Sequence, residues 1–126
     1  MGGTVLLIED EPNIMEAMRF ILSRDGWHVH CHSDGATALD AVRQRDPDVV
    51  VLDVMLPNRS GYDILRDLRG DPATAALPVL MLTARGQKRD REMAERHGAS
   101  LFMTKPFSNA EVLDSLRHLL GREGAA

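Results

Sequence analysis

The chain has 126 residues, 44% apolar and 27% charged, the composition of one globular domain with a single core. A net charge of −4 argues against broad electrostatic attraction to nucleic acid. No apolar run approaches the ~20 residues of a membrane helix, and Met1-Gly2-Gly3 opens no signal-peptide core. The single Cys31 has no internal partner, which favours a reducing cytoplasm. Its strand-like surroundings predict a buried, inert thiol.

Short apolar runs alternate with amphipathic stretches of helical length, the pattern of βαβ units. The first run, Val5-Leu6-Leu7-Ile8, leads into Glu9-Asp10-Glu11, and Pro12 suits a first helical turn. Ile14, Met15, Met18, Ile21 and Leu22 then form one stripe at helical spacing, and Asp25-Gly26 ends that helix. Trp27 follows as a packed anchor. Val29 and Cys31 alternate with His28, His30 and His32, as expected of an edge strand whose apolar residues face inward. Asp34 is placed to cap a second helix carrying Ala38, Leu39 and Val42, closed by Asp46-Pro47.

Val49-Val50-Val51-Leu52 is the third strand and ends on Asp53. The loop Leu56-Pro57-Asn58-Arg59-Ser60-Gly61 leads to a helix with Ile64, Leu65 and Leu68, and Gly70-Asp71-Pro72 breaks the chain again. Val79-Leu80-Met81-Leu82 ends on Thr83. The fourth helix, Gln87 to His97, has only Met93 and Ala94 clearly apolar, so it buries little and should be weakly held. Gly98 is its natural left-handed cap. Leu101-Phe102-Met103-Thr104 delivers Lys105-Pro106. Ser108-Asn109-Ala110-Glu111 reads as a capping box for a last helix with Val112, Leu113, Leu116, Leu119 and Leu120. Residues 123–126 read as a tail or the start of a linker after a domain spanning 1–122.

Five such units with right-handed crossovers predict a flavodoxin-like (βα)5 three-layer sandwich, its parallel five-stranded sheet in the order 2-1-3-4-5. In a parallel sheet the carboxyl ends of the strands share one edge, where ligands bind. Acids, a hydroxyl and an ammonium would therefore meet there. Clustered carboxylates raise each other's pKa unless a cation neutralises them. A few hard oxygen ligands with waters retained describe Mg²⁺ better than a Ca²⁺ cage, and no EF-hand loop is present. The five His and one Cys lack a zinc spacing such as H-x-x-x-H with a further ligand. Glu9 and Asp10 are the metal-ligand candidates. Asp53, alone at the end of a central strand, is the candidate nucleophile for an aspartyl phosphate. Thr83 and Lys105 supply what phosphoryl oxygens need.

V-L-L-I-E-D-E-P at 5–12, V-V-V-L-D-V-M-L-P at 49–57 with Gly61, V-L-M-L-T-A at 79–84 and K-P-F at 105–107 together resemble the receiver domain of two-component response regulators, over nearly the whole chain. The resemblance implies that Asp53 accepts a phosphoryl group from a histidine kinase phosphohistidine, directly or through a phosphotransfer protein. Glu9, Asp10, Asp53 and the Met55 backbone carbonyl would hold Mg²⁺. It makes Thr83 the switch hydroxyl, Phe102 the switch aromatic and Lys105 the partner of phosphoryl oxygen, with a cis peptide at Lys105-Pro106.

The implied protein is a switch rather than an enzyme with a separate substrate. Phosphorylation would alter the face made by the fourth helix, last strand and last helix, and so control an effector domain or protein or a phosphorylation-dependent dimer. Receivers of the winged-helix transcription-factor subfamily usually carry Gly-Ala-Asp-Asp/Glu before the aromatic, with acids that bridge a dimer. Here the segment is Gly98-Ala99-Ser100-Leu101, and Ser115 stands where a basic residue is expected. Met55 and Arg85 occupy positions where side chains obstruct an attacking water, which predicts slow autodephosphorylation.

Two other functions share the fold logic. A haloacid-dehalogenase-like phosphatase would place D-x-D after the first strand and enclose its substrate with a cap insertion. A flavodoxin would have a Ser/Thr/Gly-rich phosphate loop where this chain has Glu9-Asp10-Glu11.

Overall fold

A computed structural model of the chain describes residues 3–83, 88–105 and 107–120. Five parallel strands, β1 (Thr4–Ile8), β2 (His28–His32), β3 (Val49–Asp53), β4 (Val79–Thr83) and β5 (Leu101–Thr104), form one sheet in the order β2-β1-β3-β4-β5. The helices are α1 (Pro12–Arg24), α2 (Ala38–Arg45), α3 (Gly61–Gly70), α4 (Lys88–Arg96) and α5 (Asn109–Leu119). This is the expected flavodoxin-like arrangement. Gln87, expected to open α4, lies outside the described residues, as do Arg85, Pro106 with its expected cis peptide, and the tail from residue 121.

Strand alternation divides the core into two layers. Leu6, Ile8, Val50, Leu52, Val79 and Met81 face α2, α3 and α4, meeting Ala41, Val42, Ile64, Leu65, Leu68 and Ala94. Val5, Leu7, Val49, Val51, Leu80, Leu82 and Met103 face α1 and α5, meeting Met18, Leu22, Val112 and Leu116. β3 and β4 are buried at every position, as strands covered on both faces must be. Trp27 is the anchor expected, buried in the second layer with its indole N–H donating to Asp25 Oδ2 at 3.1 Å. The capping box at Ser108 and Glu111 forms in full, and Gly98 takes the left-handed φ of 96°.

Three local expectations change. Asp34 caps a 3-10 turn, Gly35–Thr37, that precedes α2 rather than α2 itself. Of the two apolar residues of α4, Ala94 is fully buried while Met93 is 39% exposed. Cys31 is exposed, not buried. Alternation does place it on the α1 side with Val29, but β2 is the outermost strand, and α1 covers Val29 without covering its neighbour two residues on. Partial desolvation still pushes the Cys31 thiol above its ordinary pKa, so little thiolate is present.

One arginine ties the elements below the α4 side. Arg69, in the last turn of α3, donates to the carbonyls of Gly98 (2.8 Å), Leu77 (2.7 Å), Thr74 (3.3 Å) and Ala75 (3.2 Å), and to Ser100 Oγ at 3.3 Å. The Ser100 hydroxyl also accepts the Val79 N–H at 3.0 Å. The guanidinium thus joins the entry to β4 with the turn between α4 and β5. A Cβ at Gly98 would press on the Arg69 side chain at 3.0 Å. Replacing Arg69 by Met leaves several carbonyls without a donor, and charged hydrogen bonds contribute about 1.5–3 kcal/mol each to such sites. Arg69→Met is expected to lower urea-unfolding stability by about 2 kcal/mol, and Arg69→Lys to recover little of it, because one ammonium cannot span the fork.

Candidate functional site

The register brings the carboxyl ends of β1, β3, β4 and β5 to one edge, and Glu9, Asp53, Thr83 and Lys105 gather there. Glu9 is fully buried and Asp53 is 2% exposed, while Asp10 is open to solvent. One carboxylate oxygen from each of Glu9, Asp10 and Asp53 lies within 4.8 Å of the others. Glu9 Oε2 accepts the Glu11 N–H at 3.0 Å.

Lys105 is the counter-charge. Its Nζ donates to Asp53 Oδ1 at 3.2 Å and stands 3.1 Å from Glu9 Oε1. The second contact is an ion pair without hydrogen-bond geometry, so Glu9 Oε1 is buried with no hydrogen-bond donor. Burial, then the charge of Glu9, raise the Asp53 pKa to about 6, against the opposing pull of the Lys105 ammonium and the Met55 N–H. Burial lowers the Lys105 pKa, but Asp53 and Glu9 outweigh it and hold the ammonium above its usual range. Two buried carboxylates, a third beside them and one ammonium leave negative charge uncompensated. A fully buried carboxylate oxygen that shares its ammonium with Asp53 fits a hard divalent cation.

Phe102 is half-buried on β5 against the α2–α4 layer, with the Arg91 guanidinium 5.7 Å from its ring centre. The Met55 side chain is 72% exposed, immediately beyond Asp53.

Sequence reasoning missed the clamp that holds the loop after Asp53. Asp34 Oδ1 accepts both the Ala36 N–H and the Asn58 side-chain amide, each at 2.9 Å. The Gly35 N–H donates to the Pro57 carbonyl at 3.1 Å, and a Cβ at Gly35 would overlap the Pro57 and Arg59 carbonyl oxygens. Asn58 itself sits at a left-handed φ of 68°, a conformation Asn tolerates. At the base of the same loop the Gly61 N–H bonds the Val54 carbonyl at 2.9 Å. The Asn58 bond, followed by the Ala36 N–H, depresses the Asp34 pKa. The only sequence signal was turn chemistry in two loops 24 positions apart, which does not say that they touch.

The response regulator receiver domain family matches residues 5–117, and the chain belongs to it. It is a receiver domain of the two-component type. The chain is 46% identical over 121 residues to the probable transcriptional regulatory protein TcrX of Mycobacterium tuberculosis, covering 96% of this chain and 51% of that protein. It therefore spans about half the length of that relative. Among solved structures, a response regulator of Chloroflexus aurantiacus superposes with a TM-score of 0.90 at 31% identity, covering 94% of this chain and 98% of the other. The receiver domain of a sensor histidine kinase of Pseudomonas aeruginosa PAO1 gives 0.88 at 29% identity, covering 96% and 99%. That domain has a magnesium ion coordinated in its active-site cleft. The activated, beryllofluoride-bound receiver domain of Klebsiella pneumoniae RstA gives 0.85 at 28%, covering 93% and 97%.

Two outcomes test this geometry. Because the Asp53 pKa is raised from 3.8 to about 6, the native metal-free protein keeps a proton in that window that the unfolded chain releases. Raising pH through the window therefore costs stability, on the order of 3 kcal/mol for two units. Urea unfolding without metal at pH 7.5 should find Asp53→Asn more stable than wild type by about 1–2 kcal/mol, with Mg²⁺ stabilising wild type and not the variant. For the clamp, Asn58→Asp sets two carboxylates against each other and should weaken Mg²⁺ binding several-fold. Asp34→Asn combined with Asn58→Asp restores a donor–acceptor pair and should restore the affinity, a coupling that two independent surface changes would not show.

Proposed function

We propose that this receiver domain is a phosphorylation-activated switch in which Asp53 takes a phosphoryl group from the phosphohistidine of a histidine kinase or a phosphotransfer protein. The observation that carries the reading is the buried Asp53 carboxylate, held at 3.2 Å by Lys105 and beside the Glu9 and Asp10 carboxylates. An Asp53 oxygen attacks phosphorus, the phosphorus–nitrogen bond of the donor breaks, and the imidazole leaves with the bonding pair and takes its proton from solvent. Ionised Asp53 is the nucleophile, so the metal-free acid, with its raised pKa, is handicapped below about pH 6.

Glu9, Asp10, Asp53 and the Met55 carbonyl would hold Mg²⁺, which when bound neutralises the carboxylates and the charge on the transferring group. Lys105 already points into the cluster and turns from the carboxylate to a phosphoryl oxygen without crossing solvent. The Thr83 hydroxyl, at the end of β4 and 5% exposed, donates to another.

Phosphorylation adds about −1.5 to −2 charge, and Thr83 with Lys105 moving toward it pulls on the ends of β4 and β5. Phe102 then repacks and alters the α4, β5 and α5 face, which an effector domain or partner protein reads. The chain itself is a switch and not an enzyme acting on a separate substrate. Among the described residues no helix is long and apolar enough to cross a membrane, and a cytoplasmic setting fits a kinase donor.

A small phosphodonor with Mg²⁺ should place one acid-labile phosphate on Asp53, absent from Asp53→Asn. Beryllofluoride should shift the amide resonances of residues 88–104. Steady turnover of a phosphate ester, or unchanged resonances on activation, would sink the reading.

A further inference from the structure

His28, His30 and His32 lie on one face of β2, paired residue for residue with Thr4, Leu6 and Ile8 of β1. The phosphoryl site uses none of them. Strand pairing fixes the spacing, so their arrangement is a property of the backbone and not of a mobile loop. The His28 and His30 rings stand 5.8 Å apart centre to centre, at 75° to each other. A histidine nitrogen sits about 2.0–2.1 Å from a zinc-class ion, so each ring centre lies roughly 3.2 Å from the metal. Two such rings at a tetrahedral angle are about 5.2 Å apart, and at a wider angle of about 130° they are about 5.8 Å apart. The observed centre-to-centre separation falls within that range.

We propose that His28 and His30 form a two-imidazole site for a borderline transition-metal ion, Zn²⁺ or Cu²⁺, on the outer edge of the sheet. Sequence spacing alone pointed away from zinc because the helical H-x-x-x-H pattern is absent; H-x-H is its strand counterpart. His32 is excluded from the pair because its Nε2 is engaged with Thr37 Oγ1 at 2.7 Å. Cys31 is excluded because it points to the opposite face. Partial burial, followed by the nearby Arg45 charge and His28, lowers the His30 pKa, which keeps that ring in its neutral, ligating form. The same Arg45 charge opposes a cation, which sets the affinity at a modest level. Among the described residues no third His, Cys, Asp or Glu converges on the pair, so water or a second copy of the chain completes the coordination. A hard ion such as Mg²⁺ belongs in the acidic cluster and does not compete for imidazole.

The test is titration of the chain with ZnCl₂, and separately CuCl₂, in excess Mg²⁺, followed by calorimetry and, for Zn²⁺, by histidine ring NMR. One Zn²⁺ site is expected, moving the His28 and His30 ring signals together and leaving those of His32 and His118 in place. Cu²⁺ should bind more tightly than Zn²⁺. His28→Gln and His30→Gln, both at accessible positions, should each weaken binding by roughly tenfold or more through loss of chelation, while His32→Gln stays near wild type. One metal per chain, or one metal per two chains with a doubled mass, would each support the site. Binding that survives both substitutions, that maps to Asp10 and Asp53, or that is weaker than millimolar would overturn it.

Discussion

The fold's functional edge depends on holding the Glu9 and Asp53 carboxylates buried together within reach of one ammonium. Parallel pairing makes this arrangement unavoidable once those residues end β1 and β3, since register places Ile8 beside Leu52 and so brings the next residues to the same crevice. Like charges at low exposure repel, and Lys105 compensates only part of that repulsion. The site is therefore unsatisfied by construction. A divalent cation would relieve it, and so would a phosphoryl oxygen to which Lys105 could turn from the carboxylate. On the proposed reading, that one electrostatic deficit would supply both the affinity for a cation and the drive of the switch.

A strained cluster of this kind needs a stiff support, and the rest of the molecule supplies it unevenly. β3 and β4 are buried at every position. The loop after Asp53 is fixed at its base through Gly61 and at its tip through Asp34 and Gly35. α4 is the contrast: among its described side chains only Ala94 is buried in the core. Its C-terminal end is fastened, because Arg69 grips the Gly98 carbonyl. With a thin apolar contact along its length, α4 is more easily displaced than β3, whose shift would disturb two core layers at once.

Fold and acidic site were both legible because their signals are local. Apolar runs ending on Asp53, Thr83 and Lys105 specify strands, and parallel topology does the rest. What was not legible depended on contacts between distant segments. The burial of Cys31 was misjudged because alternation reports which face a residue takes, not whether a helix covers that face. Glu9 and Asp10 look alike in the chain, yet one is sealed and the other open, a distinction set by the strand end and not by residue type. The Asp34–Asn58 bond and the Arg69 hub join residues between 5 and 31 positions apart, and no periodicity encodes them.

The departure at Ser100 and Leu101 takes on a definite meaning in this frame. Where a related subfamily has acids facing a second protomer, Ser100 turns its hydroxyl to the Val79 N–H and the Arg69 guanidinium, and Leu101 packs against the α1–α5 core layer. Both residues serve the chain's own framework. Among the described residues, Arg91 from α4 and Glu111 and Asp114 from α5 line the hollow beside Phe102. Arg91 lies over the Phe102 ring, so under the proposed switch any repacking of Phe102 would disturb a cation that stands beside two acids.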